Sequence, residues 1–270
     1  MIGQFISDLT EFQFLQIALL SLLLISITSS VIGSFAIVSG NALQTDALGH
    51  AVIPGVVLSM IFKVPILIGA LVFGFLANWL ISKIQLEKRF SKDVSIGIVL
   101  ATFFSIGTVI VYSSGLTRQY EEILFGNVLS VSKFDLVTIL LISIAIVTIV
   151  YLNFKKLKLV AFDPDFAKSI GLSVEKYQKL LMIVSTIGII LAIKSVGVIL
   201  VSAFVVTNSA SSRIFSHSFS AMINNAAIIG VINSILGLFI SYSFDLPAGP
   251  TIILLDGVLF FILFLFRRVS

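Results

Sequence analysis

The stretch Asn41-Ala-Leu-Gln-Thr-Asp-Ala-Leu-Gly-His-Ala-Val-Ile-Pro-Gly55 places an aspartate and a histidine inside a long apolar run. Ionisable side chains are costly within a bilayer, and those found there usually have a function. Asp46 and His50 are four residues apart, which puts them on one face of a helix, about 6 Å apart along its axis. The stretch therefore predicts a membrane-spanning helix that carries a polar site.

A carboxylate and an imidazole on one helix face form a partial site for Mn, Fe(II) or Zn. Two ligands hold an ion weakly, which suits transport because the ion must leave again. Pro54 removes the helical hydrogen bond to the carbonyl of His50, and so predicts a helix kink with an unpaired carbonyl oxygen near the pair. The alternative is an Asp–His hydrogen bond that only ties two helices together, and the residues alone leave both interpretations open.

Composition supports a membrane location for the whole chain. Of its 270 residues 58% are hydrophobic and 11% are charged, with 17 basic and 13 acidic side chains. A soluble domain carries about 25% charged residues, so an ordinary soluble enzyme is excluded. The chain has no cysteine, which excludes disulfides, iron–sulfur clusters and cysteine nucleophiles.

The apolar runs are continuous, as in an all-α polytopic membrane protein, and lack the alternation of a β-barrel. A spanning helix needs about 20 apolar residues. About nine transmembrane helices are predicted, or eight if the short run Gln178–Ile193 is buried by its neighbours instead. The predicted spans are Phe12–Val38, Ala42–Phe62, Val64–Ile81, Val94–Tyr112, Phe134–Phe154, Gln178–Ile193, Val196–Ser212, Ala221–Phe244 and Pro250–Phe266.

The positive-inside rule orients these spans. With the C-terminus in the cytoplasm, most basic residues fall in inside loops, and the N-terminus of a nine-span chain lies outside. The outside segments then hold only Lys63, Arg118, Lys133 and Lys194. The inside segments hold Lys83, Lys88, Arg89, Lys92, Lys155, Lys156, Lys158, Lys168, Lys176, Lys179, Arg213, Arg267 and Arg268.

The longest polar stretch, 155–179, is predicted to lie in the cytoplasm and to contain a short helix. Asp163 is suited to cap its N-terminus, Pro164 to its first position and Gly171 to its C-terminal cap. Phe166 and Ile170 share one face of this helix. It either rests on the lipid surface or docks on a cytoplasmic partner, and the sequence does not choose between the two.

Other polar residues lie within the predicted spans. Asp256 is interpreted either as a buried acid that packs helices together, which is favoured, or as a residue of the transport pathway. The seventh span has a polar face that either lines a watery passage or bonds neighbouring helices, with packing favoured; its members are Ser202, Thr207, Asn208, Ser209, Ser211 and Ser212. The chain has no P-loop, no His-Glu-x-x-His and no Gly-x-Ser-x-Gly motif.

The motifs together resemble the membrane permeases of bacterial ABC importers for manganese, zinc and iron, over nearly the whole length. Asp46-Ala-Leu-Gly-His-Ala-Val-Ile-Pro-Gly55 is similar to the family signature Asp-Ala-x-x-His-Ala-x-x-Pro-Gly. The supporting motifs are Ile123-Leu-Phe-Gly-Asn-Val-Leu129, Phe162-Asp-Pro-Asp-Phe-Ala167, Val196-Gly-Val-Ile-Leu-Val201 and Asp245-Leu-Pro-Ala-Gly-Pro250.

The resemblance implies a type II importer layout: one permease domain over 1–270 in the bacterial plasma membrane, with a coupling segment at 155–179. It implies that Asp46 and His50 contact the transported metal near the kink at Pro54. It implies a homodimer or a pair of related permeases, and alternating access driven by a cytoplasmic ATPase. It also implies an extracytoplasmic metal-binding protein, with no tightly bound cofactor and no enzymatic activity in this chain. The expected ATPase-coupling residues are Phe162, Asp163, Pro164, Asp165, Phe166 and Gly171.

Three departures from the family pattern stand out: Thr45 in place of Gly, Gly49 in place of Ser, and Asn208-Ser-Ala-Ser-Ser212 in place of Pro-Ala-Ala-Thr-Ala. An ATP-independent metal channel or secondary carrier is the alternative function, since it could use the same Asp–His site. An intramembrane hydrolase ranks lowest, because such an enzyme needs a nucleophile beside a base. No second carboxylate and no histidine other than His50 lies within one helical turn of Asp46.

Overall fold

The computed structural model describes residues 2–87, 89–116, 124 and 126–267, with the backbone alone at 2, 194–196, 199, 200, 202 and 203. These residues form helices and no strand, as predicted, because a helix pairs its own backbone groups where water is excluded. Lys88, Arg118, Arg268 and part of the 123–129 motif lie outside the described residues.

The helices are α1 (Ile2–Glu11), α2 (Gln13–Val38), α3 (Ala42–Ala51), α4 (Ile53–Ile61), α5 (Ile66–Gln85), α6 (Lys92–Ser114), α7 (Lys133–Phe162), α8 (Pro164–Ser169), α9 (Val174–Val196), α10 (Val198–Arg213), α11 (Phe219–Phe244) and α12 (Ala248–Phe266).

Seven helices in the described part of the chain are long and apolar enough to cross a membrane: α2, α5, α6, α7, α9, α11 and α12. The interrupted pair α3–α4 and the 16-residue α10 correspond to the two other predicted spans. The run Gln178–Ile193, predicted to be short, lies inside the 23-residue α9, which is long enough to span.

Two helix boundaries differ from the prediction. The span predicted to end at Phe154 continues to Phe162, so that α7 has 30 residues. Leu157 and Val160 are buried on its inner face, and this packing favours continued helix even where lysines point to solvent. At the other boundary, α12 begins at Ala248 and takes Pro250 into its first turn, where a missing N–H costs little.

Helix α1 was not predicted. It is a short amphipathic helix whose Phe5 is buried against Phe239 and Tyr242 of α11, with ring centroids 5.3 and 5.7 Å away. The Tyr242 hydroxyl donates to Asp8 at 3.0 Å. The chain before the first span therefore folds back onto the bundle.

Helix α2 lies at the centre of the bundle and packs against α7, α9, α10 and α11. The contact with α10 is close because Gly33 carries no side chain: a Cβ there would lie 1.9 Å from the carbonyl oxygen of Val205. Small residues let membrane helices approach closely enough for backbone contact.

The α4–α5 contact depends on two glycines. A Cβ added to Gly55 would lie 2.1 Å from the carbonyl oxygen of Gly69, and one added to Gly69 would lie 2.1 Å from that of Gly55. A Cβ added to Gly107 of α6 would lie 2.6 Å from Cγ2 of Ile53 and 3.1 Å from the backbone nitrogen of Pro54. These contacts hold α4 directly beside the Asp–His segment.

We expect Gly55→Ala to destabilise the protein by about 1–3 kcal/mol, because the added methyl group meets backbone that cannot move independently of α5. The measurement is the thermal unfolding midpoint of purified protein. Gly257→Ala is the matched control, since a Cβ at Gly257 meets nothing within 4 Å. Equal midpoints for Gly55→Ala and the unchanged chain would contradict this account of the α4–α5 contact.

Candidate functional site

The predicted span Ala42–Phe62 is two helices, α3 and α4, that meet at Val52. Pro54 lies in the first turn of α4, a position that needs no N–H. The carbonyl of His50 was predicted to be unpaired, but it accepts from the backbone N–H of Val52. The prediction is corrected: this carbonyl keeps one further acceptor position rather than two.

Asp46 and His50 lie one turn apart on α3, and both are half-buried. Nδ1 of His50 is enclosed and has no hydrogen-bond partner. The His50 ring meets the ring of Phe104 on α6 edge-on, with centroids 5.9 Å apart at 76°. No described residue forms a hydrogen bond or an ion pair with the Asp46 carboxylate, and the two side chains do not bond each other. Both groups are therefore available to an ion.

The face of α3 that carries the Asp46–His50 pair lies at the surface of the single chain. Leu43, one turn before Asp46 on the same face, is 46% exposed, and Phe104 is 39% exposed. An unpartnered polar pair on such a face is accessible either to the ion path or to a second subunit.

One chain supplies few ligands. Among the described residues, no three His, Cys, Asp or Glu side chains are grouped closely enough to hold a metal ion. Asp46 and His50 thus offer one oxygen donor group and one nitrogen donor group to any ion that reaches them. Such a set binds it weakly unless other donors join.

The opposite side of α3 is held to α5 and α9 by a chain of hydrogen-bonded polar side chains that was not predicted from the sequence. Gln44 donates to Asn78 of α5 at 2.9 Å, Asn78 donates to Thr186 of α9 at 2.5 Å, and Thr186 donates to the carbonyl of Met182 at 2.7 Å. Asn78 is fully buried. An amide within the predicted span Val64–Ile81 was the available signal. The network orients α3 so that Asp46 and His50 face away from α5 and α9.

The start of α3 is held from α6. Lys92 donates to the carbonyl of Gly40 at 2.8 Å and also to the side-chain oxygen of Asn41. Asn41 in turn donates to Ser39 at 3.0 Å. Because Lys92 lies next to the C-terminal end of α2, its positive charge also interacts favourably with the dipole of that helix. From the sequence, Lys92 was predicted only to be one of the basic residues on the cytoplasmic side.

Thr45 and Gly49, which depart from the family pattern, both fit the packing of α3. Thr45 is buried and donates to the carbonyl of Asn41 at 3.1 Å. A Cβ at Gly49 would lie 3.5 Å from the carbonyl oxygen of Val198, an ordinary contact. Neither residue disturbs the neighbouring Asp46–His50 pair.

The predicted short helix is α8, and its caps are those expected from sequence. Oδ1 of Asp163 accepts from the N–H of Phe166 at 2.9 Å, and Pro164 is the first residue. Gly171 has φ +82°, which glycine adopts without strain, and its N–H donates to the carbonyl of Lys168 at 3.0 Å. The caps give α8 a fixed position after α7.

The outer face of α8 is apolar and uncovered. Phe162, Phe166 and Ile170 are 56%, 53% and 54% exposed, whereas Ala167 is fully buried against the bundle. Asp163 and Asp165 are exposed beside them. Phe162 also meets Phe219 of α11 edge-on at 5.4 Å, and Phe219 meets Phe35 of α2 at 4.8 Å. This aromatic cluster links the exposed segment to the central helix.

Comparison with known proteins gives concordant matches. The model of the ABC 3 transport family matches residues 11–267. The manganese import system permease protein ScaB of Streptococcus gordonii is 36% identical over 264 residues, covering 98% of this chain and 95% of that protein. The manganese transport system membrane protein MntC of Listeria monocytogenes is 36% identical over 262 residues, covering 97% and 94%. Both are named as membrane proteins of transport systems, not as enzymes.

A solved structure agrees with the fold. A chain of PsaBC from Streptococcus pneumoniae, in complex with Fab, superposes with a TM-score of 0.92 at 36% identity. The match covers 99% of this chain and 97% of that chain.

Proposed function

The chain belongs to the ABC 3 transport family, and on that premise we propose that it is the permease subunit of an ATP-driven manganese importer. The observation that carries the proposal is the Asp46–His50 pair, two unpartnered ionisable side chains on an interrupted helix. Intramembrane groups of this kind mark ion pathways. The metal is the transported substrate, and no resident cofactor is needed.

Manganese is favoured over zinc and iron by the relatives, which are named for manganese. Donor chemistry alone accepts all three ions, since carboxylates suit Mn and imidazole suits Zn and Fe. We therefore assign manganese as the transported ion. The partner that delivers it would be an extracytoplasmic metal-binding protein, at the end of the bundle where α2 begins and α11 ends.

We also propose that two copies of the chain form a homodimer with the two α3 helices facing each other. Each copy offers only one carboxylate and one imidazole, on a face that is open at the surface. Two copies would supply two Asp46 carboxylates and two His50 rings, which is enough for a four-ligand site. The ion would then pass between the subunits, and alternating access would open that passage to one side at a time.

The ATPase would dock on the outer face of α8. Its apolar side chains, Phe162, Phe166 and Ile170, are exposed in the chain alone and fit a groove of a partner protein. The 13 basic residues of the inside segments support a cytoplasmic position for this end by the positive-inside rule, with the N-terminus outside. Motion of the ATPase would reach α2 through Phe219.

We expect His50→Ala and Asp46→Ala to abolish manganese uptake by vesicles that hold the permease with its ATPase and binding protein, because each removes half the donors of one chain. His217→Ala, which changes the other histidine of the chain, is the matched control and should transport normally. Expression and unfolding midpoint should not change. Normal uptake by both site variants would move the ion path elsewhere.

We expect Phe166→Glu to reduce metal-stimulated ATP hydrolysis and uptake by about tenfold or more, because a buried charge in the docking groove costs several kcal/mol. Phe215→Glu, an exposed aromatic residue outside α8, should leave both unchanged. Uptake that continues after the ATPase is inactivated would instead support an ATP-independent channel or carrier.

The homodimer can be tested by cross-linking, since the chain has no cysteine and any introduced thiol is unique. Leu43→Cys should give a covalent dimer with a short bis-maleimide reagent in membranes. Leu254→Cys, 68% exposed on α12, which packs on α10 and α11, is the control and should remain monomeric. Cross-linking at Leu254 but not at Leu43 would place the subunit interface on the other side.

A further inference from the structure

A second polar cluster lies within the bundle where α2, α10, α11 and α12 meet. Asp256, in the middle of α12, is 1% exposed. Its Oδ1 accepts from Nδ2 of Asn233 on α11 at 2.5 Å, while its Oδ2 is enclosed without a hydrogen-bond partner. An ionised carboxylate in such surroundings is strongly disfavoured unless a cation accompanies it.

Among the side chains that the structure describes, no cation accompanies Asp256. The helices that pack on α12 are α10 and α11. Their titratable residues are Arg213, at the end of α10, and Tyr242, which donates to Asp8 of α1. Neither is hydrogen-bonded or ion-paired to Asp256. The charge of the carboxylate must therefore be neutralised by something other than a described side chain.

Further buried polar atoms lie beside this pair. A Cβ at Gly230, one turn before Asn233, would lie 2.2 Å from Ser26 Oγ and 2.9 Å from Asn208 Nδ2. Ser26 and Asn208 are fully buried, and Ser26 Oγ and Asn208 Oδ1 have no hydrogen-bond partner. Side chains of α2 and α10 with unpaired oxygens thus lie against α11, one turn from the Asn233–Asp256 pair.

A line of hydroxyl groups continues from this cluster toward the α8 end of the bundle. On α2 and α10, Ser209 donates to the carbonyl of Ser30 at 3.4 Å, and Ser34 lies 3.5 Å from Ser209. Nearer the end, the hydroxyls of Ser212 and Ser216 are 3.1 Å apart. The Ser212 hydroxyl donates to the carbonyl of Met222 at 2.7 Å, so water must join these hydroxyls before they can relay a proton.

The same helix, α10, also touches the site helix. Gly49 of α3 lies against the carbonyl of Val198 at the start of α10, and Asn208 follows ten residues later, about 15 Å along the axis. Movement of α10 relative to α3 would therefore change the surroundings of both polar sites.

We propose that Asp256 is a proton-binding site. In this conformation it holds a proton on its carboxyl group. During the transport cycle, movement of α10 admits water to the cluster from the α8 side. The O–H bond then breaks, a water molecule accepts the proton, and Asn233 together with water stabilises the remaining carboxylate. The reverse transfer restores the acid. The site is separate from Asp46–His50, and only its coupling to the cycle rests on the proposed function.

The protonation state of the Asp256 carboxyl group can be measured directly by infrared difference spectroscopy. The spectrum of the purified Asp256→Asn complex is subtracted from that of the wild-type complex. We expect the carbonyl stretch of a protonated carboxylic acid at neutral pH, lost in the variant and unchanged when sodium or potassium chloride replaces choline chloride. A missing band would show a carboxylate and overturn the proposal. A band that disappears with sodium or potassium would show an alkali-cation site and overturn it as well.

The exchange is tested by transport. Asp256→Asn keeps the size and hydrogen-bonding capacity of the side chain but cannot release a proton, so we expect ATP-driven manganese uptake about tenfold slower with an unchanged unfolding midpoint. Ser234→Ala, which changes a buried hydroxyl bonded to its own helix, should transport normally. Wild-type uptake by Asp256→Asn would overturn the exchange step. If the wild-type complex takes up no manganese, the proposed function fails while the infrared result still decides the proton site.

Discussion

The interruption between α3 and α4 is the constraint on which the rest of this fold depends. A break in a helix frees backbone groups, and within a bilayer these must be shielded by protein. Here α5, α6, α9 and α10 surround the break, and Gly55, Gly69 and Gly107 allow them to approach it at backbone distance. The same surroundings leave one face of α3 uncovered, and that face carries Asp46 and His50. The interruption and the open polar pair are thus two results of one packing arrangement.

The interior of the bundle is unusually polar for a membrane protein. Hydroxyl and amide side chains of α2, α10 and α11 are buried together, and many bond carbonyls of their own helices, as Ser30 and Ser234 do. Small polar residues permit close helix contact and leave few strong bonds between helices. The cohesion of this interface therefore comes from close packing rather than from many hydrogen bonds between helices.

Much of this architecture was predictable because its causes are local. Hydropathy gave the spans, and the capping preferences of Asp163, Pro164 and Gly171 gave α8. Contacts between helices were not predictable, since Phe104 beside His50, Asn78 between Gln44 and Thr186, and Lys92 beside Asn41 are set by three-dimensional packing. Helix α1 was missed because ten residues are too few for a hydropathy signal, although Phe5 and Leu9 at helical spacing indicated an apolar face. The broken span was foreseen only as a kink, because proline chemistry fixes where a helix is weakened but not how far it opens.

The 30-residue α7 runs without a break from the far side of the bundle to α8. At 1.5 Å per residue it is about 45 Å long, so it extends well beyond the hydrocarbon layer. A helix of that length behaves as a lever: a tilt of only about 10° would carry its end through about 8 Å. Because α8 follows after a single capping residue, such a displacement would be delivered without a flexible joint to absorb it. The distance through which α8 and a subunit bound to it can move together is therefore set by the stiffness of α7.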